Sequence, residues 1–272
     1  MSSIPGFSDP VSSLSHLAGA AVFAILSAFL IARGRAARQV ISLAVFAFSC
    51  VLLLSLSGVY HLLSPGTTAR SVLLRLDHAA IFVLIAGSFT PVHVILLRDL
   101  WHWHLLAWIW IAAIAGLVLK TVYFDATPQW LGLLMYLGLG WLGLISTVEL
   151  ARRFGVRFVL LLVWGALAYT IGALVDHLRW PVPVPGVIGP HEVFHLAVLA
   201  GISFHWAFIR RIAGWKDLRF TDSPSLHPGG TALPGSGFEV FRPSDRRSEP
   251  LRSGLPATLH GRRQQGRPAS SR

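Results

Sequence analysis

Charged residues are scarce in this sequence. Asp, Glu, Lys and Arg make up 13% of its 272 residues, whereas soluble domains carry about 25%. Together with 54% hydrophobic residues, this excludes an ordinary soluble domain and indicates a polytopic membrane protein. The net charge is +11, but ten of the 23 Lys and Arg residues lie in the last 60 positions, and most others lie between apolar runs. This distribution predicts anionic membrane lipids, and no nucleic acid, as partners of the basic residues.

Cysteine is almost absent. Cys50 is the only one, and it lies inside an apolar run. A single chain therefore has no disulfide framework and no metal site built from cysteines. Residues 1–15 contain Asp9 but no Lys or Arg, so they lack the basic start of a cleaved signal peptide. We expect the first apolar run to remain in the protein as a membrane anchor.

Long apolar runs dominate the sequence instead. A membrane-spanning helix needs about 20 mostly apolar residues, and the alternation of a membrane β-barrel is missing. The sequence therefore predicts an all-α, multi-pass integral protein of the bacterial inner or cell membrane, with a short segment 1–13, a seven-helix bundle 14–212 and a disordered basic tail 213–272. The predicted spans are Leu14–Ala32, Val40–Leu63, Leu76–Leu97, Leu105–Phe124, Trp130–Leu150, Phe158–Leu178 and Pro190–Ile212.

Basic residues are unevenly divided between the two ends of these runs. One set of connections holds Arg33, Arg35, Arg38, Arg152, Arg153, Arg157, Arg210 and Arg211, whereas the alternate set holds Arg70, Arg75, Lys120 and Arg179. Cytoplasmic loops carry the excess of Lys and Arg. The bias therefore predicts a cytoplasmic first loop and tail, with the N-terminus outside.

Ionisable residues inside the runs are costly in lipid and usually functional or paired. Ser57 and His61 share a helix face near the end of the second run,. Asp77 opens the third run, where a carboxylate is also favoured as a simple cap. His191 and His195 have the i, i+4 spacing that chelates one divalent ion. Because the chain reverses at each turn, these residues all fall at one membrane face, which favours a shared site over independent interfacial side chains.

Three neutral imidazoles suit zinc and leave its fourth position open. A water molecule there becomes a nucleophile near neutral pH. Asp77 is placed to hydrogen-bond that water or to orient a histidine, and Ser57 to polarise a substrate carbonyl. The same set also suits a structural zinc clamp between helices. The letters HEVFH leave a zinc peptidase open as well, with Glu192 as its base,.

Other polar residues of these runs carry weaker expectations. Asp176 and His177 end the sixth run at the same membrane level, as an interfacial pair or as partners of the site. His205 lies about 15 Å along the helix from His195, so it is expected to pack rather than bind the same ion. WHWH at Trp101–His104 is typical of an interfacial aromatic belt,.

Three segments, in order, resemble the hemolysin III branch of the progestin and adipoQ receptor family: SGVYHLL, RLDHAAIFVLIAGSFTPV and HEVFHLAVLAGISFHW. The resemblance covers about residues 10–212. It implies a seven-helix fold with one zinc ion (Zn²⁺) near a membrane face, held by His61, His191 and His195. It also implies that Asp77 bonds water at the metal and that Ser57 completes the site.

The resemblance also implies kinship with membrane amide hydrolases that include alkaline ceramidases. It predicts a zinc-dependent hydrolase of lipid amide or ester bonds, with a lipid-like substrate. The alternatives are a receptor or envelope-homeostasis protein with a structural zinc, or a cytolytic, pore-forming protein. Adiponectin receptors, which share the helix order, imply an N-terminus in the cytoplasm, opposite to the charge bias.

Overall fold

A computed structural model describes residues 9–215, and within them the chain forms eight α-helices and no strand. Seven segments are long and apolar enough to cross a membrane, so the predicted seven-span bundle is confirmed. The predicted tail, apart from residues 213–215, lies outside the described residues. The helices are α1 Pro10–Ile31, α2 Ala37–Leu62, α3 Thr68–Leu96, α4 Leu100–Val122, α5 Gln129–Trp141, α6 Gly143–Phe154, α7 Val156–Leu178 and α8 Pro190–Ile212.

The fifth span is two helices rather than one. α5 ends at Trp141 and α6 begins at Gly143, with Leu142 between them. The surrounding LGLGWLG contains three glycines, and glycine is a poor helix former because it loses much backbone entropy. The break leaves the indole N–H of Trp141 to donate a hydrogen bond to Thr170 on α7, at 3.2 Å. The predicted single run is therefore interrupted at Leu142.

The third span begins much earlier than its apolar run. The Thr67 hydroxyl accepts a hydrogen bond from the Arg70 backbone N–H at 3.3 Å, which caps α3 at its true start,. Asp77 consequently lies about two and a half turns inside the helix. The interpretation of Asp77 as an N-terminal cap is wrong, because polar residues such as Arg70 and Arg75 extend the helix beyond the apolar segment.

The helices close around an internal space. α2 packs on both α1 and α3, α3 on α4, and α7 on α8, while α8 returns to α1 and α5 bridges α3 and α7. Close approach depends on small residues: a Cβ atom at Gly172 of α7 would lie 2.5 Å from the Cβ of Ala197 on α8. Small residues of this kind allow membrane helices to pack backbone to backbone.

Successive spans run in opposite directions, so the connections fall on two faces. The site face holds the connections α2–α3, α4–α5 and α7–α8 and the start of α1. The basic face holds the connections α1–α2, α3–α4 and α6–α7 and the end of α8. Within residues 9–215 the basic face carries nine Arg residues, the site face four Lys and Arg. The former are Arg33, Arg35, Arg38, Arg98, Arg152, Arg153, Arg157, Arg210 and Arg211; the latter are Arg70, Arg75, Lys120 and Arg179.

Candidate metal centre

Three imidazoles meet at the site face. His61 comes from the end of α2, and His191 and His195 come from the first turns of α8. The Nε2 atom of His191 lies 3.2 Å from Nε2 of His61 and 3.1 Å from Nε2 of His195. The three ligand atoms all lie within 4.8 Å of one another, so the group could hold a metal ion. His61 and His195 are 3% and 2% exposed, so they are core side chains and do not reach towards the solvent.

Nitrogen ligands of a tetrahedral zinc ion, with Zn–N bonds of about 2.0–2.1 Å, lie about 3.3 Å apart. The two Nε2–Nε2 distances from His191 are close to that value, and the remaining pair lies within 4.8 Å. The structure therefore brings the expected His61, His191 and His195 group close enough together to hold a metal ion.

The start of α8 is fixed by Glu192. Its carboxylate accepts a hydrogen bond from the Gly189 backbone N–H at 2.9 Å and another from the Ser12 hydroxyl of α1 at 3.3 Å. The first bond caps the start of α8 from the N3 position, as the Glu of a capping box does, and the second holds the first turn of α8 against α1,. Glu192 therefore serves as a cap, which disfavours the peptidase alternative that needed it as a base.

Each of two imidazoles has a carboxylate behind it. Nδ1 of His61 lies 3.0 Å from Oδ2 of Asp9, and Nδ1 of His191 lies 3.1 Å from Oδ1 of Asp176. Arg70 donates a hydrogen bond to the same Oδ2 atom of Asp9 at 2.7 Å. Burial alone would raise the pKa of Asp9, but the hydrogen bonds from His61 and Arg70 hold it below its usual value,.

Asp9 and His16 also lie at this centre, and neither was predicted from the sequence. Nε2 of His16 on α1 lies 3.3 Å from the backbone oxygen of His195, and the two rings are 4.0 Å apart between centroids. His16 is 2% exposed, and Ser12, one turn earlier, is fully buried. The i, i+4 spacing of Ser12 and His16 in a mostly apolar helix is the feature of the sequence that could have indicated His16,.

Ser57 and Asp77 line the same cavity as the three imidazoles. Ser57 lies one turn before His61 and is 3% exposed. It is a close polar neighbour of Asp77 across the α2–α3 contact. The structure therefore brings both of the expected non-histidine residues to the cavity that contains the imidazoles.

That cavity has a volume of about 1040 Å³ and extends deep into the bundle. Its lining runs along α8 from His191 to His205, which corresponds to about 21 Å of helix rise. Its walls include Leu84, Ile85 and Leu133. The cavity is polar at the site face and largely apolar further in.

Three further histidines have hydrogen-bond partners away from the imidazole group. Nδ1 of His78 lies 2.8 Å from the Leu74 backbone oxygen, and Nε2 of His205 lies 3.4 Å from the Leu162 backbone oxygen. The expectation that His205 packs apart from the metal ligands agrees with this position. His102, within the predicted aromatic belt, is 4% exposed and bonds to Asp99. His102 is therefore a buried side chain, whereas Trp101 and Trp103 of the same segment are exposed, and the aromatic-belt interpretation stays a prediction.

Fold and centre together define a class: a seven-span membrane protein whose internal cavity carries three convergent imidazoles at one membrane face. The chain belongs to the haemolysin-III related family, whose pattern matches residues 7–206. This confirms the resemblance inferred from the three sequence segments.

Similar proteins come from bacteria and a plant. The chain is 32% identical over 165 residues to Hemolysin-3 of Bacillus cereus, and this alignment covers 61% of this chain and 72% of that protein. It is 32% identical over 164 residues to the Hemolysin-3 homolog of Bacillus subtilis (strain 168), covering 60% and 73%. It is 30% identical over 177 residues to Heptahelical transmembrane protein 4 of Arabidopsis thaliana, covering 60% and 46%.

Proposed function

We propose that this protein is a zinc-dependent membrane hydrolase that cleaves amide or ester bonds of lipids. The observation that carries the proposal is the convergence of three Nε2 atoms in a cavity that continues as an apolar space within the bundle. A metal centre at the mouth of such a cavity meets the polar linkage of an amphiphile while its chain lies among apolar side chains.

The hydrogen bonds around the imidazoles support a cation among them. If the Nδ1 atoms of His61 and His191 donate to their carboxylates, neutral rings have only lone pairs on Nε2. Two lone pairs would then face each other across 3.2 Å, which is unfavourable unless a positive charge lies between them. A divalent ion bound by His61, His191 and His195 supplies that charge.

Asp77 and Ser57 supply the remaining chemistry. When bound, zinc would polarise a carbonyl and lower the pKa of water. Asp77, in the same cavity as the ligands, accepts a proton from the attacking water and returns it to the leaving amine or alcohol. The Ser57 hydroxyl, beside Asp77, donates a hydrogen bond that orients this carboxylate or the substrate carbonyl.

Hydrolysis of a ceramide-like amide by purified protein with zinc tests this function. Asp77→Asn should reduce the rate by about 10²–10⁴-fold, the usual contribution of a general base, while zinc remains bound. Asp125→Asn is the matched control, since this site-face carboxylate pairs with Arg75 and its side chain is 80% exposed. The proposal is contradicted if a broad panel of lipid amides and esters shows no turnover, or if Asp77→Asn retains full activity.

A structural zinc clamp is the second candidate. His61 lies on α2 and the other two ligands on α8, and these helices are not among the pairs that pack extensively in the described part of the chain. A shared ion would therefore add a link that the packing does not provide. In this case, removing zinc with a chelator lowers the melting temperature, and the zinc-loaded protein hydrolyses no lipid.

A further inference from the structure

Two of the three imidazoles contact a carboxylate through Nδ1, and the third does not. We infer that Asp9 and Asp176 are positioning residues, which select the imidazole tautomers of His61 and His191 that present Nε2 to the metal. The inference rests on the proposed metal site and deepens it. It assigns a task to two residues that come from different elements, the start of α1 and the end of α7.

The tautomer follows from the chemistry of the carboxylate. An ionised carboxylate has no proton and can only accept hydrogen bonds. The contacts of 3.0 Å for His61 and 3.1 Å for His191 therefore require a proton on each Nδ1 atom. In a neutral imidazole the lone pair is then on Nε2, the atom that points to the other histidines. The carboxylates also make the rings more basic and hence better ligands.

Asp9 is itself held in place. Its backbone N–H donates to the His61 backbone oxygen at 3.1 Å, and Arg70 donates to its carboxylate at 2.7 Å. Arg70 is in turn fixed by a hydrogen bond to the Leu63 backbone oxygen and by its position over the Tyr60 ring, 4.8 Å from the centroid. The carboxylate is therefore rigid relative to the end of α2, as a group that orients a ligand must be.

His195 lacks such a partner. Its Nδ1 atom is buried and has no hydrogen-bond partner among residues 9–215. Its ring is held by packing against His16 instead. The centre therefore contains two ligands with carboxylates behind them and one without. Only the first two should respond to removal of a carboxylate.

Zinc affinity of the full-length protein in detergent, measured by competition with a chromophoric chelator, tests the inference. Asp9→Asn and Asp176→Asn should each weaken binding by about 10–100-fold, the usual effect of losing such a partner. The amide keeps the shape but loses the charge, and it can turn its NH₂ group towards Nδ1 and favour the wrong tautomer. Asp125→Asn should bind zinc like the wild type, and Asp176→Glu should recover part of the affinity.

Two further measurements separate positioning from a structural role. Cobalt(II) absorption should change in Asp9→Asn and Asp176→Asn, because the ligand field reports ring orientation. The melting temperatures of the metal-free Asp9→Asn and Asp176→Asn proteins should fall no further below that of the wild type than the melting temperature of Asp125→Asn does.

The inference is overturned if zinc affinity is unchanged, or if the metal-free proteins lose stability and the cobalt spectrum of the folded fraction is unaltered. If the wild type binds zinc and hydrolyses lipid, and both Asp→Asn variants bind zinc as tightly as the wild type, then only the positioning role is refuted. Wild type that binds no zinc refutes the proposed function and this inference together.

Discussion

At the residue scale, the histidines of this chain differ in what their ring nitrogens contact. His78, His93 and His205 each have a ring nitrogen within 3.4 Å of a backbone carbonyl oxygen, as is usual for histidines buried in a helical core. His61 and His191 instead direct Nδ1 to carboxylates and Nε2 to another imidazole. This second pattern is typical of histidines that bind a metal.

Glu192 allows a residue-scale test of the peptidase alternative. Because its carboxylate caps α8 and accepts from Ser12, Glu192→Gln should leave lipid hydrolysis within about twofold. It should cost only about 0.3–1 kcal/mol of stability, since Gln keeps a capping acceptor and loses only the charge at the helix N-terminus. If activity instead falls by about 10²–10⁴-fold, as expected for loss of a general base, Glu192 also acts as a base and the capping role alone is contradicted. The measurement is the turnover of the same lipid substrate, at matched zinc content.

The three imidazoles could be predicted from the sequence, and Asp176 was among the possible partners, but Asp9 could not be predicted. The i, i+4 spacing indicates His191 and His195, and the predicted position at the same membrane face indicates His61. Asp9 carries no such indication, since it lies outside every apolar run. Its approach to His61 depends on how α1 packs against the end of α2 and on Arg70, which are tertiary contacts.

At the scale of elements, α7 and α8 position most of the centre. α8 carries two ligands, and α7 ends at the carboxylate behind one of them. The seven spans could be predicted because lipid requires continuous apolar helices. The break at Leu142 and the early start of α3 at Thr68 could not, since polar residues at helix ends and glycines within a helix are decided by packing.

Gly172 tests the α7–α8 contact. Gly172→Ala places a methyl group 2.5 Å from the Cβ of Ala197, and such overpacking costs about 1–3 kcal/mol. The contact is with a Cβ atom that cannot rotate away, so the cost should lie in the upper part of that range and outweigh the gain of about 1 kcal/mol in helix propensity. The melting temperature should therefore fall. Gly138→Ala is the control, because nothing lies within 4 Å of its added Cβ, and it should be neutral or stabilising. Equal melting temperatures for the two variants would contradict the packing account.

At the scale of the whole molecule, the charge asymmetry between the two faces predicts the orientation. The basic face carries most of the described arginines, so the positive-inside rule predicts that it lies in the cytoplasm. The candidate metal centre would then open to the opposite side. This orientation is the reverse of the one implied by resemblance to adiponectin receptors.

Cysteine labelling tests the orientation, and the sequence is suited to it because Cys50 is the only cysteine. In a Cys50→Ala background, Ser64→Cys lies on the site face and Ala37→Cys on the basic face, both at exposed positions. A membrane-impermeant maleimide should label the former in intact cells, and the latter only after permeabilisation. The opposite labelling pattern would place the centre in the cytoplasm.

The central claim is that His61 joins His191 and His195 around one ion. Elemental analysis of detergent-purified protein tests it most directly. Wild type should contain about one zinc per chain, and so should His177→Ala, which alters an exposed histidine on the same face. His61→Ala should lose most of the metal while keeping its helical content. Wild type without zinc, or His61→Ala with as much zinc as wild type, would contradict the account.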